Sequence, residues 1–206
     1  TVTINGSTGN ENITGPNLVS TILGGVGVDT IVAGTANDTI DGGDGADNLT
    51  GGVGDDVYLF DTDDVDSGES IIENVGEGTD VVAIVTSTAF SLMTAASIDE
   101  VEEIRFAGAS QTGTFTGSQL TGETINLTET AAGTSVLVVN VDSGATIDLV
   151  NMTASTFTTG SDIITINASG NASVTGPNLS STLNGGAGGD TLIGGTANDI
   201  INGIGG

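Results

Sequence analysis

The sequence has no cysteine, histidine or tryptophan, and Arg105 is its single basic residue against 27 acidic ones. Each absence removes a class of function. Without cysteine there is no disulfide framework and no thiolate metal centre, and without histidine the other common zinc and copper ligand is missing. With histidine, cysteine and lysine all absent, the usual general bases and nucleophile–base pairs cannot be assembled, so the chain does not read as an enzyme. One arginine cannot supply the basic surface that phosphates require, which excludes a nucleic-acid partner. No apolar run reaches the ~18 residues of a membrane-spanning helix, and membrane insertion is not expected.

What is present is glycine and negative charge: 34 Gly, 2 Pro and a formal charge of −26. A compact state of that charge repels itself unless cations bind or the acids are spread along an extended shape. Five Phe and one Tyr cannot fill a thick core, yet Val, Ile and Leu recur in short bursts, which suits a narrow and thinly packed object. Metal cations are the missing partner that the composition asks for.

The bursts are periodic. Residues 24–32 read GGVGVDTIV, 33–41 AGTANDTID, 42–50 GGDGADNLT and 51–59 GGVGDDVYL, a period of nine. Each unit is a six-residue turn ending in Asp (Asp29, Asp38, Asp47, Asp56), followed by three residues whose middle member is large and apolar (Ile31, Ile40, Leu49, Tyr58). Weaker units precede them at 6–14, with Glu11 in the acidic place, and at 15–23, where Ser20 stands there instead. A longer repeat overlies the first: text from Ile4 to Gly43 returns from Ile166 to Gly203, clearest in TGPNL at 14–18 and 175–179, an offset of 161 with a one-residue slip near its start. The first residues read as mid-strand and the last stop inside a repeat, so the chain reads as a piece of a tandem array.

Three-residue apolar pulses must stack on copies of themselves. If every turn reverses the chain, two nonapeptides make one coil, with Ile31 and Leu49 on one wall and Ile40 and Tyr58 on the other. The turns then form two columns, 24–29 with 42–47 and 33–38 with 51–56. Glycine allows backbone angles that point carbonyl oxygens inward, and one carboxylate per turn adds charge, an all-oxygen cage suited to calcium. The expected ligating positions are Asp29 with Asp47 and Asp38 with Asp56, together with Gly25, Gly27, Gly43, Gly45, Gly52, Gly54 and Asn37. Glu11 could share an ion with Asp29. Asp190 and Asp199 carry the same motif and are expected as half-sites, completed by a following coil. Ala33 in place of the first glycine, and Ala-Asn at 36–37 and 197–198, set the second column apart.

The region between has no nonapeptide period. Its acidic stretch 61–70 reads as a solvated face, with an additional calcium loop built on Asp61, Asp63, Asp64 and Asp66 as the alternative; the text around Gly76-Glu77-Gly78 reads as strands about a turn, and VLVVNV as a buried strand. The spacing of Ile98, Val101 and Ile104 suggests a short helix over 92–104, with a bend leading into a strand at EEIRF as the alternative. The expected organisation is an N-terminal calcium-binding β-roll over 1–60, a β-rich solenoid-like or small β domain over 61–157, and the truncated start of a second roll over 158–206.

The GGxGxDxUx runs, U being a large apolar residue, resemble the RTX family of type I-secreted bacterial proteins, and VEEIRFAGAS at 101–110 resembles a strand motif of surface-layer proteins. The resemblance implies an all-β fold, a parallel β-roll or β-solenoid binding Ca2+ in its GGxGxD turns, located outside the cell or on the bacterial cell surface. It implies folding gated by calcium, with neighbouring repeats or further copies as partners. The function expected is a structural or assembly repeat of a surface layer, filament or long adhesin. The alternative is a calcium-binding accessory module of an extracellular RTX enzyme such as a protease, lipase or polysaccharide epimerase.

Overall fold

Each nonapeptide carries one large apolar residue between outward-facing neighbours, the period-two pattern of a strand with one buried face. Strands of three to five residues are not stable alone and persist only by pairing with their copies. The computed structural model describes residues 1–74, 76–93, 98–158, 161–203 and 205, and in it the copies pair as a parallel β-solenoid. The chain divides into two compact units, 1–105 and 106–206.

In the first unit the strands are β1 (Val2–Asn5), β2 (Asn12–Thr14), β3 (Ser20–Val26), β4 (Thr30–Gly34), β5 (Thr39–Asp44), β6 (Asn48–Gly52), β7 (Val57–Phe60), β8 (Ser70–Ile71), β9 (Val81–Ile84) and β10 (Thr88–Ala89), with β11 (Glu103–Phe106) at the boundary. Strands β1 to β9 form two ladders, β1-β3-β5-β7-β9 and β2-β4-β6-β8. The pairings are parallel, and their register puts Ile4, Ile22, Ile40, Tyr58 and Val82 in one row. Ile13, Ile31, Leu49 and Ile71 form the other. Ile22, Ile31, Ile40, Leu49, Tyr58 and Val82 are wholly enclosed, so the two walls read from the sequence are the core itself. Enclosing each aliphatic side chain contributes about 1.5–3 kcal/mol.

The nine-residue period stops at 59, but the ladders do not. The coils lengthen from 18 residues to 22 and 24, and β8 and β9 continue the two walls. Phe60 and Phe90 meet edge to face with ring centroids 5.3 Å apart. Part of the helix expected over 92–104 falls on 94–97, outside the described residues. Beyond them the chain bends: the Val101 N–H donates to the Ile98 carbonyl at 3.2 Å, Glu100 adopts φ 63°, and the chain enters β11. Here the bend leading into a strand, not the helix, buries Ile98, Val101 and Ile104.

The second unit contains β12 (Thr112–Thr116), one helical turn α1 (Gly117–Leu120), β13 (Asn126–Glu129), β14 (Val136–Val141), β15 (Thr146–Asp148), β16 (Thr153–Ala154), β17 (Ile163–Ala168), β18 (Ser173–Thr175), β19 (Thr182–Asn184), β20 (Thr191–Ile193) and β21 (Ile200–Asn202). Its ladders are β12-β14-β17-β19-β21, β15-β18-β20 and the pair β13-β16. Phe115, Val139, Ile166 and Leu183 share one enclosed row. The VLVVNV run is β14, which alternates between buried and more exposed positions and pairs on both sides, so it is no edge. Along the outside, Asn140, Asn167, Asn184 and Asn202 are joined amide to amide. The Asn167–Asn184 step spans 17 residues and the Asn184–Asn202 step 18, which locates the one-residue slip of the long repeat in the coil between β17 and β19.

Candidate metal centre

The aspartate that ends each turn lies where the chain enters a strand, and its backbone N–H points at the next coil. Asp29 N–H donates to Asp47 Oδ1 at 2.7 Å, and Asp38 N–H to Asp56 Oδ1 at 2.6 Å. The same bond repeats along both columns. In the first, Glu11 N–H donates to Asp29 Oδ1 at 2.7 Å and Asp47 N–H to Glu69 Oε2 at 2.8 Å. In the second, Ser20 N–H donates to Asp38 Oδ1 at 2.6 Å, Asp56 N–H to Asp80 Oδ1 at 2.9 Å, and Asp80 N–H to Glu102 Oε2 at 2.8 Å. The result is two stacked rows of carboxylates, each hung on the backbone of the coil before it.

In Asp29, Asp38, Asp47, Asp56 and Glu69 one oxygen is thereby satisfied and the other is not. Asp29, Asp38, Asp47 and Asp56 are buried, and each has a buried Oδ2 without a hydrogen-bond partner; Glu69 Oε1 and Glu73 Oε2 are in the same condition. A buried carboxylate oxygen with no partner is costly, and an ionised one more so. The only cationic side chain, Arg105, pairs with Glu103 at 2.7 Å. Burial accordingly pushes Asp47 and Asp56 up from the usual carboxylate range to about 6, with neighbouring acids adding to the effect, and moves Asp38 in the same direction. Glu69 is pushed up to about 9, first by burial and then by Asp47, Asp64 and Asp66. Orphaned, enclosed, oxygen-only groups of one sign fit a hard divalent cation, and calcium's flexible coordination by six to eight oxygens suits them.

The structure brings the sequence-derived pairs together: Asp29 lies one coil from Asp47, and Asp38 one coil from Asp56. Gly25, Gly27, Gly43, Gly45, Gly52 and Gly54 all lie at positive φ, from 85° at Gly43 to 144° at Gly54. The close approach is tightest at Gly45, where a Cβ would run into the carbonyl of Gly27 in the coil before. Asn37 is elsewhere. It is exposed, accepts from the Asp55 N–H at 3.1 Å and donates to the Asp55 carboxylate at 3.2 Å, so its amide ties two coils together on the outside. Asn10 and Asn171 accept from Val28 and Gly189 in the same way. The Glu11 carboxylate is held by Ser7 within its own turn, and that bond keeps its pKa below the ordinary value. Asp190 and Asp199 are half-buried and accept from the Ala172 and Ser181 N–H groups, each at 2.9 Å. In the coil before them, the carboxylate position is thus occupied by Ala172 and Ser181.

The nonapeptide pattern did not contain Glu69, Glu73, Asp80 or Glu102. The acidic stretch 61–70 is not uniformly solvated: Asp61, Asp63 and Asp66 are exposed, whereas Asp64 and Glu69 are buried. Around Gly76-Glu77-Gly78, the expected turn between strands is a further turn of the second column, ending in Asp80. Its signal was present as Gly76-x-Gly78-x-Asp80, the spacing of the repeat without its leading glycine. Asp56, Glu73 and Asp80 each place a carboxylate oxygen within 4.8 Å of the other two.

A parallel solenoid whose turns carry rows of buried, half-satisfied carboxylates has the architecture of a calcium-binding β-roll. The family model of the RTX calcium-binding nonapeptide repeat matches residues 23–58 and 180–206, in four copies. These segments are RTX-type calcium-binding repeats, and Ca2+ is their ion. No curated protein and no solved structure matches the chain.

Proposed function

We propose that this chain is a calcium-gated structural repeat of an extracellular or cell-surface protein, a surface layer, filament or long adhesin, in which successive coils lock together once calcium fills the turns. The observation that carries this reading is the set of buried, unpartnered oxygens on Asp29, Asp38, Asp47 and Asp56, stacked coil upon coil. Bound calcium supplies the positive charge that those oxygens lack. The chain does the rest: each aspartate fixes the coil before it through one backbone N–H, and the enclosed aliphatic rows close around that register. Binding free energy is then folding free energy. With little free calcium, the unneutralised carboxylates keep the chain open; at high calcium it coils.

The long repeat supports an assembly role over an enzyme-accessory one, because its second copy carries the same TGPNL text and the same parallel pairing of strands. Neighbouring repeats are the natural partners of such an array. Circular dichroism with calcium and with chelator tests the gating, which requires most of the β signal to vanish with chelator. Electron microscopy tests the assembly: sheets or filaments that form only with calcium support it, and monodisperse particles under both conditions overturn it.

A further inference from the structure

We propose that Asp56, Glu73 and Asp80 hold one further calcium ion, at the place where the nonapeptide gives way to longer coils, with the Tyr58 hydroxyl fixing Glu73 toward it. The proposal rests on the calcium-gated reading above and adds to it a site whose third carboxylate comes from outside the repeat motif. β6 and β8 pair Leu49 with Ile71, and two residues further on Glu73 accepts from the Gly51 N–H, so a glutamate lies against the residue that begins the preceding turn of this column, just ahead of the turn that ends in Asp80.

Glu73 is held, not free. Its Oε1 accepts from the Gly51 N–H at 3.1 Å and from the Tyr58 hydroxyl, and Tyr58 is itself fully enclosed in the core row. Its other oxygen, Oε2, is buried and without a partner. So is Oδ2 of Asp56, a side chain that is 0% exposed. Asp80, also buried, reaches the same point, and the three groups place ligand oxygens within 4.8 Å of one another. An ion about 2.4 Å from each oxygen spans such a set, and three negative charges favour a divalent cation more than a two-carboxylate turn does. Acidic clusters are common on surfaces without an ion; enclosure and two orphaned oxygens distinguish this one.

Tyr58 makes the site separately readable, because it is the sole tyrosine and there is no tryptophan. Terbium(III), a hard ion of calcium's size class, emits when a neighbouring excited tyrosine transfers energy to it. The full chain is titrated with terbium under tyrosine excitation, then back-titrated with calcium, while circular dichroism follows folding. The expected result is a saturable, calcium-displaced emission that Tyr58→Phe abolishes, that Glu73→Gln weakens by at least about tenfold in affinity, and that the exposed-site control Asp63→Asn leaves unchanged. Unaltered emission in Glu73→Gln, or no emission from a chain that still folds on calcium, overturns the proposal and leaves the calcium-gated reading standing. A spectrum indifferent to calcium overturns both. Should Glu73→Gln fail to fold at saturating calcium, Glu73→Asp keeps the charge on a shorter arm: weakened emission supports the site, and unchanged emission overturns it.

Discussion

The backbone N–H of Asp47 donates to Oε2 of Glu69 at 2.8 Å across 22 residues, whereas that of Asp29 donates to Asp47 itself at 2.7 Å across 18. The bond is the same although the coil is longer and the acid has one more methylene. What the fold conserves along each column is therefore a carboxylate under a backbone N–H, not the nine-residue text. The enclosed rows behave alike, since Tyr58 stacks on Val82 as Ile40 does on Tyr58.

Asp47→Asn is expected to lower calcium affinity by at least about tenfold. The amide oxygen still accepts the Asp29 N–H, but the charge that an ion would meet is gone, and bonds to charged groups contribute about 1.5–3 kcal/mol each. Asp66→Asn removes the same charge from an exposed position and should change affinity by less than about twofold, the small effect of a solvated charge. Isothermal titration calorimetry on the two variants decides; equal losses would show that only net charge matters.

Acid should replace calcium in part. In the metal-free fold, burial raises Asp47, Asp56 and Asp80 to about 6, Glu73 to about 7 and Glu69 to about 9. Unfolded, they titrate near about 4. A folded pKa above the unfolded one means that the folded chain binds more protons, so the stabilisation is fully present below about pH 4 and is lost as pH rises through about 6 to 9. The metal-free β signal in circular dichroism should accordingly grow as pH falls from about 8 to 5, while calcium affinity falls over the same interval. A metal-free signal that is flat or declines on acidification contradicts this.

Much of this was legible in the sequence because one residue class repeats at one spacing. Asp29, Asp38, Asp47 and Asp56 announce themselves by period, and so do the rows of Ile31 with Leu49 and Ile40 with Tyr58. Glu69, Asp80 and Glu102 did not, because four or six added residues per coil shift them out of phase while the backbone bond that recruits them stays in place. Asn37 shows the converse. Its place in the turn offers it as a ligand, but periodicity does not report which way a side chain faces, and its amide bridges to Asp55 on the exposed side. The bend at Ile98–Glu100 was masked by apolar spacing that suits a helix as well as a bend followed by a strand.

Ile31→Ala should cost about 2–5 kcal/mol in calcium-saturated thermal unfolding, the usual range for emptying a closed core site. Ile31 is wholly enclosed and stacked between Ile13 and Leu49, and neighbouring coils cannot collapse into the gap without leaving the strand register. Val32→Ala, one position along on the exposed face, should stay within about 0.5 kcal/mol. Similar midpoints for the two variants would place the stability of the unit in its ions and not in its aliphatic rows.

Gly45→Ala tests the turns themselves. The residue sits at φ 141°, and a Cβ there would strike the Gly27 carbonyl of the preceding coil. Both effects act on the folded state: an L side chain is strained at that angle, by about 1–3 kcal/mol, and the backbone carbonyl it meets cannot rotate aside as a side chain would. Gly203→Ala is the matched control, since its φ is not in the left-handed region and nothing lies within 4 Å of the added carbon. The expected outcome is a higher calcium concentration for half-folding in Gly45→Ala, by about tenfold for about 1.4 kcal/mol of strain, and no shift in Gly203→Ala. A Gly45→Ala chain that folds at the original calcium concentration would mean that adjacent turns can separate without losing the ion, and the stacked-coil description of the site would have to be abandoned.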